Sequence, residues 1–318
     1  MMSTSRQTKN LIVLFFIILI NLVTGFIDDR PERVNKLFEK YDKKGSPGLT
    51  VSIIQNGKFV HQNSFGLSDI RNVVKNNKKT RYFIASISKQ FSCLGMALLE
   101  LEGKVSVSKP IKEYLPEFRF SNITILQLMQ HTSGLRDYLI LAVLRGEGGL
   151  YSFTRDHAFD LLKKQKDLNF KSGESWDYSN SGYLLMEYII ERITKMKFSE
   201  YMKKKVFEPL GMKNTFFIEK STTIIKNGAY GYVYGPNNDV LYAPLLSENA
   251  GAAGGIIMDH GDFLKYDRNF YDNKLPGGQI LMDLIVTPGK YNNGTSHTYG
   301  WGLMMTKMFG KKIITHSK

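Results

Sequence analysis

With one cysteine in 318 residues, Cys93, no disulfide can form within the chain, and stability has to come from a packed core. Histidine is also scarce. The six histidines show neither the i, i+4 spacing on one helix nor the close clustering with acids that zinc sites use, so a metal-dependent hydrolase is not expected and no cofactor is implied. Acids are outnumbered, at 29 Asp and Glu against 43 Lys and Arg. The resulting charge of +14 is scattered over pairs such as Lys43-Lys44, Lys78-Lys79 and Lys163-Lys164, without the interleaved aromatics of a nucleic-acid surface. A solvated basic face with a mild attraction to anionic surfaces or substrates is the consequence, and nucleic acid is not an expected partner. Internal repeats and low-complexity tracts are lacking as well.

Long apolar runs are limited to Leu11–Val23, interrupted only by Asn21. This is shorter than the roughly 20 residues that cross a bilayer. It follows Arg6 and Lys9 and leads into the small residues Val23-Thr24-Gly25, the pattern of a secretory signal peptide spanning 1–25. No cysteine lies near that boundary to carry a lipid. The expected product is a secreted protein, periplasmic in a Gram-negative source, with no stable membrane anchor after cleavage. Residues 26–318 suffice for one large domain or a domain with an insertion.

Pro31 opens a short helix in which Val34, Leu37, Phe38 and Tyr41 recur at helical spacing, a stripe suited to lying on a sheet. Next, Leu49–Gln55 and Lys58–Phe65 flank Asn56-Gly57, a dipeptide that tolerates positive φ and predicts a two-residue hairpin. The apolar stretch Phe91–Leu101 follows Ser86 and closes at Gly103, which predicts a buried helix with Ser86, Lys89, Cys93, Met96 and Ala97 near one face. Cys93 therefore reads as packing material. From about 111 to 226 the pattern is mainly helical, with a capping box at Thr124-Ile125-Leu126-Gln127 and amphipathic runs at Ser181–Lys195 and Ser199–Phe207. Strand character returns at Gly254–Met258, Tyr299–Thr306 and Lys311–His316. The fold class expected is α/β of the α+β type: sheet at about 30–110 and 227–318, interrupted by a helical insertion.

Ser86-Ile87-Ser88-Lys89 puts a hydroxyl and an amine one turn apart at the start of that helix. Free N–H groups there can face a developing oxyanion, and a desolvated lysine can accept the hydroxyl proton. The four-residue pattern alone is weak, because Ser106-Val107-Ser108-Lys109 repeats it between Gly103 and Pro110, where no helix follows. Tyr178-Ser179-Asn180, in a loop before an amphipathic helix, adds a phenol able to shuttle protons and an amide of both polarities. Tyr-x-Asn also occurs at Tyr271 and Tyr291, so only the order of motifs separates a site from an ordinary loop.

That order resembles the class C β-lactamase-related serine hydrolases of the β-lactamase and penicillin-binding-protein superfamily. The likeness is carried by Phe83–Phe91, His131-Thr132-Ser133-Gly134-Leu135, Tyr178-Ser179-Asn180, Pro209-Leu210-Gly211-Met212 and Gly254-Gly255, and runs from about Pro31 to His316. It implies an antiparallel sheet flanked by helices, an all-helical subdomain, and a cleft between them. Ser86 would be the acylated nucleophile, Lys89 its neighbouring proton acceptor, and Tyr178 the group that activates the hydroxyl and later a water. Asn180 would orient substrate, and His131 would sit in a structural turn. The third motif of the family corresponds to His316-Ser317-Lys318, of which His316 and Ser317 would contact substrate.

Lys318 stands where the family has Gly, and the sequence stops there. The expectation is a truncated or mispredicted product of a complete gene, whose sheet would be left with an open edge. The function implied is hydrolysis of an ester, amide, β-lactam or D-amino-acid peptide through an acyl-enzyme. The alternative is a catalytically impaired or non-enzymatic relative that serves as a binding or structural module. Substrate identity and oligomeric state are not legible.

Overall fold

The structure, a computed structural model, describes residues 29–147, 154–237, 239–243 and 250–317. The leader read at 1–25 and the terminal Lys318 lie outside the described residues.

Pro31 at the first turn starts α1 (Arg30–Phe38). Its apolar stripe is only partly used: Phe38 meets the Phe65 ring at 6.1 Å, but Leu37 is 70% exposed. The helix also docks on the hairpin through a polar contact, Asn63 Nδ2 donating to Asn35 Oδ1 at 2.9 Å. Strands β1 (Leu49–Gln55) and β2 (Lys58–Phe65) pair antiparallel around Asn56 and Gly57. Both turn residues have positive φ, 51° and 66°, as a tight hairpin turn requires. Short strands β3 (Leu67–Asp69), β4 (Val74–Lys75) and β5 (Tyr82–Phe83) follow.

A 3-10 turn, Ala85–Ser88, runs directly into α2 (Lys89–Leu101), whose residues 89–99 are all buried. Burial on every face marks α2 as the central helix rather than an amphipathic cover. Cys93 lies inside it with no exposure, as expected of packing material. The helical stretch then supplies α3 (Ile125–Met129), α4 (Tyr138–Leu144), α5 (Arg155–Lys163), α6 (Asn180–Thr194) and α7 (Phe198–Met202), the last continuing as a π-turn over Lys203–Phe207. The capping box is present in both directions: Thr124 Oγ1 accepts from Gln127 N, and Gln127 Oε1 accepts from Thr124 N. Helix α6 crosses α3 closely because Gly182 has no side chain; a Cβ there would sit 2.7 Å from the Leu128 carbonyl oxygen.

Strands β6 (Phe216–Phe217), β7 (Tyr232–Tyr234) and β8 (Val240–Tyr242) precede a short helix, α8 (Gly251–Gly254), and β9 (Ile256–Met258). The strand read at Gly254–Met258 is thus shorter than expected, since its glycines belong to a helical turn that feeds it. Helices α9 (His260–Asp272) and α10 (Gly278–Ile285) lead to a final hairpin, β10 (Met304–Met308) and β11 (Lys311–Thr315). The strand read over Tyr299–Thr306 also starts late. Gly302, at φ 74°, turns the chain between Tyr299 and Met304, which meet only as an isolated bridge.

Every ladder between named strands is antiparallel, as the expected fold class demands. Among the described residues β9 lies between β5 and β6, while the other strands pair two by two. One apolar core joins α2, α3 and α6 to residues of α10 and the 301–305 segment. No helix among the described residues is long and apolar enough to cross a membrane.

Candidate active site

Ser86 sits where β5 gives way to the 3-10 turn, after Ala85 in a left-handed conformation at φ 45°. A non-glycine residue there is uncommon and costs energy that the surrounding packing must supply, a feature that clusters at functional sites. Next along, Lys89 is fully buried. Its Nζ lies 3.1 Å from Ser86 Oγ, 2.9 Å from Asn180 Oδ1 and 2.6 Å from the Ala253 carbonyl oxygen. From the other side, Tyr178 donates its phenolic hydrogen to Ser86 Oγ at 2.8 Å. Four residues singled out in the sequence therefore join in one hydrogen-bonded cluster: Tyr178 and Lys89 at the Ser86 hydroxyl, and Asn180 at the Lys89 amine.

The polarity of this cluster is determined by its partners. Asn180 Nδ2 donates to Asp137 Oδ2 at 2.9 Å; a carboxylate only accepts, so the amide oxygen must be the end facing Lys89. Asn180 Oδ1 and Ala253 O are likewise acceptors, and they occupy two N–H directions of the amine. A neutral Lys89 consequently aims its lone pair at Ser86. Burial pushes this amine down to about 7 from the ordinary 10.5, opposed by the negative charge of Asp137. Burial pushes the Tyr178 phenol the other way, up to about 12, opposed by its hydrogen bond to Ser86.

His131 is buried at φ 59° just after α3, in a turn as expected. It holds the Tyr178 loop three ways: its carbonyl accepts Asp177 N at 3.0 Å, Nδ1 accepts Ser179 N at 3.2 Å, and its ring packs 4.4 Å from that of Tyr178. Burial and the nearby Lys89 hold it well below the usual histidine range, so it stays neutral.

His316 and Ser317 line the same cleft as Ser86 and Tyr178, together with Tyr299, Met304 and Thr315, around a volume of about 290 Å³. His316 Nδ1 lies 2.6 Å from the Ser317 carbonyl, which can only accept, so that nitrogen carries the hydrogen. Nε2 then accepts from Tyr299 OH at 2.9 Å. Both ring nitrogens are engaged, and His316 contributes shape rather than a free donor. The second serine–lysine pair lies elsewhere: Ser106 Oγ meets Ser108 Oγ, and the exposed Lys109 pairs with Glu113 at 3.0 Å.

Sequence reasoning missed Asp137, Tyr299 and the Ala253 carbonyl. Asp137 had a visible signal, since it caps the apolar run of α4 by accepting Leu139 N at 2.8 Å. Nothing in the order of residues shows that its second oxygen reaches Asn180. A backbone carbonyl has no sequence signature at all.

Ser86 thus stands at a helix entrance, held between a buried amine and a phenol, an arrangement in which a neighbouring base can activate a hydroxyl nucleophile. The β-lactamase family model matches residues 34–317, and the chain belongs to that family. It is 30% identical over 278 residues to a putative penicillin-binding protein PbpX of Bacillus subtilis, covering 86% of this chain and 65% of that protein. A D-aminopeptidase of Brucella anthropi is 28% identical over 271 residues, covering 85% of this chain and 51% of the enzyme. The chain thus spans about half to two thirds of the length of these relatives. Among solved structures, the octameric penicillin-binding protein homologue of Pyrococcus abyssi superposes with a TM-score of 0.76 at 26% identity, over 91% of this chain and 68% of that one.

Proposed function

We propose that this protein is a serine hydrolase that acylates Ser86 on the carbonyl of an ester, amide, β-lactam or D-amino-acid peptide. The observation that carries the reading is Ser86 Oγ held at 2.8 Å from the Tyr178 hydroxyl and 3.1 Å from the Lys89 amine. The D-aminopeptidase among its relatives supports the peptide and amide end of that range. The apolar 11–23 segment supports export.

The amine at about 7 and the phenol at about 12 assign the protons. Ser86 Oγ attacks the carbonyl carbon while its proton passes to neutral Lys89. The bond to the leaving atom then breaks as Tyr178 supplies that atom with a proton, and Tyr178 is reprotonated by the Lys89 ammonium. Water repeats the sequence in reverse roles to release the acid and restore Ser86. Ser86 Oγ is within hydrogen-bond distance of both the Lys89 amine and the Tyr178 hydroxyl, as general acid–base catalysis on that oxygen requires.

Incubation with a fluorophosphonate or a penicillin probe, followed by peptide mass mapping, tests the reading. Labelling at Ser86 that disappears in Ser86→Ala, with a burst of product from an activated ester, is the expected result. Saturable binding with neither adduct nor burst would identify a non-catalytic binding module instead.

A further inference from the structure

Helix α6 reaches Lys89 twice. Asn180, at its first residue, accepts directly from the amine. Glu187 lies two turns further along the same face and is only 6% exposed. Its Oε2 accepts the Ala252 backbone N–H at 2.8 Å. The adjoining Ala253 carbonyl is the one that takes Lys89 Nζ at 2.6 Å. From this we infer that Glu187 is a positioning residue for the Lys89 amine, acting through the Ala252–Ala253 backbone; the inference rests on the acyl-enzyme reading of Ser86.

The short helix α8 is stitched on both sides. Ser92 Oγ donates to the Ala252 carbonyl at 2.7 Å, and Ile256 N, just beyond α8, donates to Ser88 Oγ at 3.1 Å, so Ser88, Lys89 and Ser92 at the start of α2 hold the segment. Glu187 is the anchor from α6. Gly251 makes the reach possible: a Cβ there would lie 2.0 Å from Glu187 Oε2, in the space the carboxylate occupies.

A buried carboxylate is costly unless paired, and Arg155 Nη1 bonds Glu187 Oε1 at 2.7 Å while also reaching Glu191 at 3.0 Å. That ion pair uses one oxygen. The other is directed at the backbone that aims the amine, an arrangement an ion pair serving stability alone does not need. Without it the Ala252 N–H would be buried with no acceptor or the segment would shift. Burial raises Glu187 above the ordinary carboxylate value, yet either protonation state leaves an oxygen able to accept from Ala252. The charged and titratable groups facing Lys89 are Asp137, Cys93, Tyr178, Tyr183, His131 and His316.

The test is the rate of Ser86 labelling by a fluorophosphonate as a function of pH in wild type, Glu187→Ala and Arg155→Ala. Both variants break the same ion pair, and only the first removes the acceptor of Ala252 N–H. Glu187→Ala is expected to lower the plateau rate about ten- to a hundredfold, the usual penalty for misplacing a reacting group by a fraction of an ångström to an ångström. Its acidic limb should also move to lower pH, because the Lys89 ammonium loses an acceptor. Arg155→Ala should lower thermal stability and leave the midpoint in place. If Glu187→Ala does not fold, Ser92→Ala, which deletes the opposite tether of Ala252 by one oxygen, should show the same shift in smaller measure. A folded Glu187→Ala or Ser92→Ala with wild-type midpoint and plateau would overturn the inference alone, whereas a wild type that never labels would overturn the acyl-enzyme reading and this inference with it.

Discussion

Asp137 holds Asn180 by two hydrogen bonds, accepting its backbone N–H at 2.6 Å and its side-chain Nδ2 at 2.9 Å. The first caps the start of α6 and the second orients the amide, so one carboxylate determines both where Asn180 is and which end it shows to Lys89. The same carboxylate caps α4 through Leu139 N and is the main charge favouring the Lys89 ammonium.

Replacing Asp137 separates these roles. Asp137→Ala should cost about 1 kcal/mol through the lost cap and reduce Ser86 labelling by about ten- to a hundredfold through a free-swinging Asn180. Asp137→Asn keeps an oxygen for Leu139 N but sets an amide nitrogen against the two Asn180 donors. Its labelling defect should persist while part of the thermal stability returns, as unfolding curves and labelling rates on the same samples would show.

Acylation should follow the state of Lys89. Only the neutral amine can take the Ser86 proton, so the labelling rate should fall about tenfold per unit below pH 7 and level off above it. A profile flat from pH 5 to 8 would remove Lys89 from the role of base.

Stability carries the same signature with a defined sign. The amine titrates near 7 when folded against 10.5 ordinarily, so between those values the unfolded chain binds more protons and stability rises with pH. Relative to Lys89→Met, wild type should gain about 1.4 kcal/mol per unit across that window. Denaturant titrations of both proteins at pH 7, 8 and 9 would reveal the slope, and parallel curves would contradict it.

Cys93 should be inert in the folded protein. Its thiol is buried, pushed up to about 12 by that burial, and in contact with Tyr183 OH at 3.4 Å. Alkylation is expected only in denaturant, with the modified fraction tracking the unfolding transition.

Legibility differed sharply by residue. Asn56-Gly57 and the capping box at Thr124 were readable because a turn and a helix start are decided within four residues by local backbone preferences. Ser86 and Lys89 share a face for the same reason, since helical periodicity alone puts them one turn apart. Where the strand expectation misplaced its start near Tyr299, Gly302 packs against the Lys89 carbonyl; a Cβ there would lie 2.6 Å from that oxygen, a long-range demand that local alternation does not express.

The residues by themselves determined the early hairpin, the main helices, the order of the motifs and the candidates Ser86, Lys89, Tyr178 and Asn180. Tertiary structure decided which of two identical serine–lysine patterns has a phenol beside it, because Tyr178 comes to Ser86 from 92 positions away. It also decided the chemistry of the amine. A lysine near 7 exists only once α2, α6 and α8 have closed around it, for desolvation belongs to the assembled core and to no stretch of sequence.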